Sequence, residues 1–216
     1  MNDKFLRQDV IDEFEFDPSF DGVHIGVAVD RGVVTLSGYV ESYAQKLAAV
    51  AAARRVKGVH AIADEIEIRY PFQSKTEDDQ IAKRALDILK WNSTVSPYQI
   101  DVLVEAGWIT LSGEVNWQFE KRAAEDSVRK LSGIVGVTNK MTLKPRVVAA
   151  DVKANIEAAL KRQAELDAGA IRVSVTGGDH VVLEGRVHSW TERSAAEDAA
   201  WSAPGVMSVD DLITLR

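Results

Sequence analysis

Val33-Val34-Thr35-Leu36-Ser37-Gly38 returns twice in this chain, as Trp108-Ile109-Thr110-Leu111-Ser112-Gly113 and as His180-Val181-Val182-Leu183-Glu184-Gly185. Gly38 and Gly113 are 75 residues apart, and Gly113 and Gly185 are 72 apart. A second set, Gly58, Gly133 and Gly205, repeats both intervals. Upstream, Leu6, Ile81 and Val152 open each copy, with Phe14, Leu89 and Leu160 eight positions further on. Self-similarity held in register over this length is the mark of an internal repeat, so one module is written three times.

Each copy decodes in the same way. Leu6, Val10, Ile11 and Phe14 recur at helical spacing, and Asp17-Pro18 stops the helix. Ile25, Val27 and Val29 then alternate with small or polar residues. After Arg31-Gly32 the alternation resumes at Val34 and Leu36, which reads as a hairpin with one buried face. Its counterparts are Ile100, Val102, Val104 with Ile109, Leu111, and Ile171, Val173, Val175 with Val181, Leu183. The third hairpin holds one extra residue at Gly177-Gly178-Asp179.

Gly38, Gly113 and Gly185 mark a backbone position with positive φ or a close approach. Ser42 with Gln45 and Ser189 with Glu192 fit capping boxes at the start of a second helix, whereas Trp117 holds that place in the second copy. The second helix is alanine-rich on its inward stripe, at Ala48, Ala49, Ala52 and Ala53 in the first copy. Gly58, Gly133 and Gly205 fall where a C-terminal cap belongs. A last strand follows, with Ile62, Asp64, Ile66 and Ile68 on one face.

The expected fold is therefore α+β: three tandem α-β-β-α-β modules at 1–70, 76–144 and 147–216, each a three-stranded mixed sheet covered by two helices. Units of about 70 residues sit near the lower limit for independent folding, so they are expected to pack on one another. Residues 70–75 read as a loose joint before a cap at Thr76, while Lys144-Pro145-Arg146 leads almost directly into the next helix. The second and third modules are thus expected to be the more rigidly joined pair.

Composition excludes several classes. There is no cysteine, which removes disulfides and thiolate metal sites. Eight charged side chains among the first twenty residues leave no room for the apolar core of a signal peptide, and no apolar run is long enough to span a bilayer, so the expectation is a cytoplasmic, non-spanning protein. Net charge is -7, carried as 8 basic against 12 acidic residues in 1–70, 11 against 10 in 71–146, and 7 against 11 in 147–216. With no basic stripe, nucleic acid is disfavoured, and the middle module is the one an anionic surface could approach.

No constellation suggests an enzyme. His24, His60, His180 and His188 show no ligand spacing. Asp64, Asn139 and Asp211 share one repeat position on the apolar face of the last strand, and there they can accept backbone amides. Alternatively, Asp64 with Glu65, or Asp210 with Asp211, would give an oxygen-rich site for bound potassium or calcium. The aromatics are the stronger lead. Trp117 opens a helix, Trp190 stands at the position of Tyr43, and Trp201 aligns with Arg54 and Arg129, which should leave its ring exposed. Trp91 ends a first helix at the position of Phe16. Such side chains suit a protein or lipid interface, or contacts between modules.

A helix, a Val-x-Leu-x-Gly hairpin, an alanine-rich helix and a Gly-Val turn before a strand bearing Asp or Asn resemble the BON domain, the bacterial osmotic-stress and nodulation module. The likeness spans Ile25 to Gly38 with Gly58-Val59, Ile100 to Gly113 with Gly133-Ile134, and Ile171 to Gly185 with Gly205-Val206. The resemblance implies a non-catalytic module tied to osmotic or envelope stress that contacts phospholipid or other apolar surfaces, and in one cytoplasmic branch potassium. The combined expectation is a stress-associated binding or scaffold protein contacting a protein partner or an anionic phospholipid surface, alone or as a homo-oligomer. A cytoplasmic cation sensor is the alternative.

Overall fold

A computed structural model describes residues 3–70, 76–96, 99–145, 151–163 and 168–215. The first module contains α1 (Asp3–Phe16), β1 (Ile25–Asp30), β2 (Val33–Val40), α2 (Tyr43–Arg55) and β3 (Ala61–Ile68). The second has α3 (Asp78–Trp91), β4 (Ile100–Glu105), β5 (Trp108–Val115), α4 (Gln118–Val128), β6 (Gly136–Asn139) and β7 (Thr142–Leu143). The third has α5 (Val152–Arg162), β8 (Ile171–Thr176), β9 (His180–Val187), α6 (Trp190–Trp201) and β10 (Ser208–Leu215). In every module the hairpin is antiparallel and the last strand joins its middle strand in parallel. In the second, that strand is broken into β6 and β7, both paired with β5.

Each module closes a separate core of the residues the alternation selects. Leu6, Val10, Phe14, Val34, Leu36 and Ile66 are buried in the first, with Ala49, Ala52 and Ala53 from α2. Ile81, Leu89, Ile109, Leu111, Ala124 and Met141 fill the second. Ile156, Leu160, Val181, Leu183, Ala196, Ala200 and Ile213 fill the third. Alanine on the second helix lets it lie close to the sheet.

The repeated glycine of the hairpin combines both reasons for a glycine. Gly38, Gly113 and Gly185 all have positive φ, and a Cβ at each would fall well under 3.0 Å from the carbonyl oxygen of His24, Gln99 or Ala170, just before the first strand. Gly58, Gly133 and Gly205 also have positive φ, but they lie in the turn beyond the helix and not at the cap itself, which is Val56, Arg129 or Ser202.

A second clamp escaped the sequence reading. The Asp3 carboxylate accepts the Arg31 and Gly32 amides of the β1–β2 turn at 2.9 and 3.3 Å, and Asp78 accepts those of Ala106 and Gly107 at 2.8 Å each. The start of the first helix in modules one and two is thereby pinned to the tip of its hairpin. Ser42 and Ser189 cap as expected. At α4 the Glu120 carboxylate takes the Asn116 and Trp117 amides instead. Thr76 is not the cap of α3, because Glu77 occupies that position.

Residues 1–144 form one compact unit and 145–216 another. The first two modules therefore pack as one unit, although the connection between them reads as a loose joint. Side-chain burial decides this: Tyr43 of the first module packs on the core of the second, and the Tyr70 hydroxyl donates to the Ile134 carbonyl. The expected close joint, Lys144-Pro145-Arg146, runs at Arg146 into 146–150, which lie outside the described residues.

The third module tests the glycine argument internally. Gly177 also has positive φ, but a Cβ there meets nothing nearer than 3.4 Å. Gly177→Ala should cost about 1 kcal/mol, the left-handed penalty alone. Gly185→Ala should cost about 3 kcal/mol or more, because the backbone must also move. Urea denaturation that found equal costs would remove the carbonyl contact as the reason for this glycine.

Candidate functional site

The shared acidic position is built into the fold. Asp64 accepts the Ile66 amide at 3.1 Å, Asn139 that of Met141 at 3.2 Å, and Asp211 that of Ile213 at 2.9 Å. Each faces the second helix of its own module, and there one repeat position is always basic. Lys46 Nζ lies 3.2 Å from Asp64, and Arg193 Nε lies 2.6 Å from Asp211. In the second module Asn139 instead donates to the Lys121 carbonyl and the Glu125 carboxylate.

The neighbours proposed as co-ligands point elsewhere, since successive strand residues face opposite sides. Glu65 is exposed, and Asp210 sits 3.2 Å from His180 Nε2. Neither pair converges, and among the described residues no three His, Cys, Asp or Glu side chains gather as a metal ion requires. An ion at Asp64 or Asp211 would have to displace Lys46 or Arg193.

The aromatic candidates separate into two kinds. Tyr43 belongs to the junction of the first two modules. Burial raises its phenol above the ordinary pKa, while Arg129 and a hydrogen bond with the Val137 backbone act in the opposite direction. Trp117 is half-buried and stacks on the exposed Phe119, with centroids 6.3 Å apart. Trp190 is half-buried with the Arg193 guanidinium 5.4 Å from its ring centroid. Trp201, expected to be exposed, instead packs against the third core and donates from Nε1 to Glu197 at 3.1 Å. Trp108 lies across Gly136 on the sheet face away from the helices and donates to Thr138 Oγ1 at 2.8 Å.

Two aromatics stand out in the structure more than in the sequence. Trp91 is 89% exposed and Phe16 is 82% exposed, each ending the first helix of its module at the same repeat position. The exposed side of α3 also carries Leu86, 40% exposed, and charges of both signs: Arg84, Lys83 paired with Asp79 at 3.0 Å, and Lys90 paired with Asp87 at 3.9 Å. Phe16 is flanked instead by Glu13, Glu15 and Asp17, the first and last of which bind Arg55. The Asp17 carboxyl is held down at about 2, first by hydrogen bonds from Ser19 and Arg55. Periodicity marked Trp91 as a helix end, but exposure depends on what packs beside it.

Three small sheet-and-helix units with separate cores define a tandem-repeat protein whose conserved geometry serves structure first and whose outward aromatics are its distinctive surface groups. The chain belongs to the BON domain family: the BON domain matches residues 2–70, 77–145 and 149–216. It is 32% identical over 129 residues to osmotically-inducible protein Y of Escherichia coli (strain K12), which covers 56% of this chain and 62% of that relative's length. The chain thus spans less than two thirds of that relative. Among solved structures it aligns with CdsD, a structural protein of the type III secretion system of Chlamydia trachomatis, at 16% identity and a TM-score of 0.26, over 98% of this chain and 92% of that one. It aligns with the CdsD C-terminal domain at 15% and 0.27, over the whole of both chains.

Two outcomes check this account. Arg193→Met strands the Asp211 carboxylate and should destabilise the third module by about 2 kcal/mol; adding Asp211→Asn, the residue found at 139, should restore part of that loss in a denaturation series. The raised pKa of Tyr43 means the folded state favours the neutral phenol. Its contribution is fully present below the ordinary value of 10.0 and is lost as pH rises through the folded pKa. Unfolding midpoints of the 1–144 unit should therefore fall above pH 10, and Tyr43→Phe should flatten that fall.

Proposed function

We propose that this is a non-catalytic, stress-associated binding protein whose second module attaches to an anionic phospholipid surface through α3. The observation that carries the reading is Trp91, an indole 89% exposed at the end of a helix whose outward side also bears Leu86, Arg84, and the pairs Lys83–Asp79 and Lys90–Asp87. An exposed indole gains by entering the interfacial layer of a bilayer, and a nearby cation adds roughly 1 kcal/mol at an anionic surface, less where an aspartate of the same helix pairs it, as Asp79 pairs Lys83 and Asp87 pairs Lys90. The second module is also the one in which basic residues outnumber acidic ones. Phe16 has a similar exposure, but the neighbouring charges Glu13, Glu15 and Asp17 are all acidic, whereas those of α3 are mixed.

Membership of the BON family and the likeness to osmotically-inducible protein Y support the stress association. The non-catalytic reading is supported by the use already made of the polar side chains: Asp64, Asp211, Asn139, Asp3 and Asp78 all hold backbone amides. The mode of attachment is peripheral, since no helix among the described residues is long and apolar enough to cross a membrane.

Co-sedimentation with phosphatidylglycerol vesicles should show binding that weakens with salt, is absent on phosphatidylcholine, and shifts Trp91 fluorescence to the blue. Trp91→Ala should weaken it about tenfold, the value of withdrawing one buried aromatic from the interface. Failure of the parent protein to sediment, or unchanged binding by Trp91→Ala, would overturn the lipid reading and favour a protein partner.

A further inference from the structure

The first module holds a cleft of about 450 Å³ between α1 and the edge strand β1, within the size range of small-molecule sites. One stripe of the helix, Arg7, Ile11 and Phe14, forms one wall, and Ile25 and Val27 form the other, with Phe20 beside Phe14. Phe14 and Phe20 meet edge to face with ring centroids 5.1 Å apart, so that end of the cleft is a fixed apolar surface. Val23, 82% exposed, stands on its rim.

The cleft is polarised along its length. At one end Arg7 Nε donates to the Val27 carbonyl at 2.8 Å. That bond fixes the guanidinium at the strand edge, and its two terminal nitrogens have no hydrogen-bond or ion-pair partner among the described residues. At the other end stand Glu15, Asp17 and Asp21. Glu15 is eight residues along the helix from Arg7, about 12 Å along the axis. Asp17 is held by Ser19 and Arg55, and Asp21 accepts the Val23 amide, so neither turns back to Arg7. The copies do not share this combination. Arg7 and Ile11 correspond to Ala82 and Leu86 in the second module and to Lys153 and Glu157 in the third. The matching cleft of the third module is lined by the charged Lys153, Glu157, Arg172 and Glu184.

We propose that this cleft binds a small amphipathic monocarboxylate, with a flat apolar body between the helix and strand walls and the carboxylate on the terminal nitrogens of Arg7. A guanidinium pinned through Nε still presents a planar fork that matches both oxygens of a carboxylate. The apolar body lies against Ile11, Phe14, Phe20 and Val27 and covers the exposed Val23. The acids opposite set the direction and the selectivity. The far end of the ligand is uncharged, because a second carboxylate there would face Glu15 and Asp21. The cleft belongs to the first module and the lipid reading rests on α3 of the second, so neither depends on the other.

The test uses naphthoate as the probe, naphthylmethanol as its neutral analogue, and the naphthalene dicarboxylate with its acids at opposite ends. Titrated into the full chain, naphthoate should bind with a Kd of about 1 mM or tighter and move the methyl NMR signals of Ile11, Val23 and Val27. At equal sub-saturating concentration the alcohol and the dicarboxylate should each move them about tenfold less. Arg7→Gln, with circular dichroism to confirm folding, should reduce naphthoate to the response of the alcohol. The ligand series is read on the parent protein, so it decides the matter even if loss of the Val27 bond loosens α1 in the variant. No binding at millimolar naphthoate, equal responses to the three compounds, shifts confined to other modules, or undiminished binding by folded Arg7→Gln would each overturn the inference.

Discussion

The close passage of the second strand over the backbone entering the first is the constraint on which each module depends. At Gly38, Gly113 and Gly185 the chain leaves no room for a Cβ against the preceding carbonyl. The crossing sets the hairpin register, in which Ile25 faces Gly38, Ile100 faces Gly113 and Ile171 faces Gly185. With the register set, Val34 and Leu36, or their equivalents, must point toward the helices, because a shift of one residue would turn the apolar set outward. A module of about 70 residues has little burial to spare, so a single tolerated register matters more here than in a larger domain.

The polar side chains follow from the same economy. Asp3 and Asp78 spend both carboxylate oxygens on hairpin amides, and Asp64, Asn139 and Asp211 each satisfy an amide two residues on. Residues that could have been ligands or catalysts are thus occupied by backbone. The second module shows how the position tolerates change: with Asn139 in place of a carboxylate, the acid moves to Glu125 on α4 and the last strand is interrupted there.

The junction of the first two modules shows why connection length is a poor guide to rigidity. A six-residue connection read as a loose joint nevertheless links two modules that pack as one unit. Tyr43 and Tyr70 account for it, with a phenol half-buried against the neighbour's core and a hydroxyl bonded to its backbone. Surface and junction are also divided by position: the start of α2 serves the contact between the first two modules, and the far ends of α1 and α3 carry the outward Phe16 and Trp91.

Much was legible in the sequence because it depends on periodicity and on backbone geometry. The threefold repeat, the order of elements, the buried faces, the meaning of Gly38 and its copies, and the capping serines are all local or repeated, and local sterics write them directly into residue type. The sequence also marked Asp64 and Asp211 as needing partners, but their choice of Lys46 and Arg193 required knowing which helix face lies above the strand. Tertiary structure alone decided which aromatics are free: Trp201 and Trp91 look alike in the chain, yet one lies against a core and the other projects into solvent. Exposure is a property of what packs beside a residue, and for a helix end that neighbour is distant in sequence.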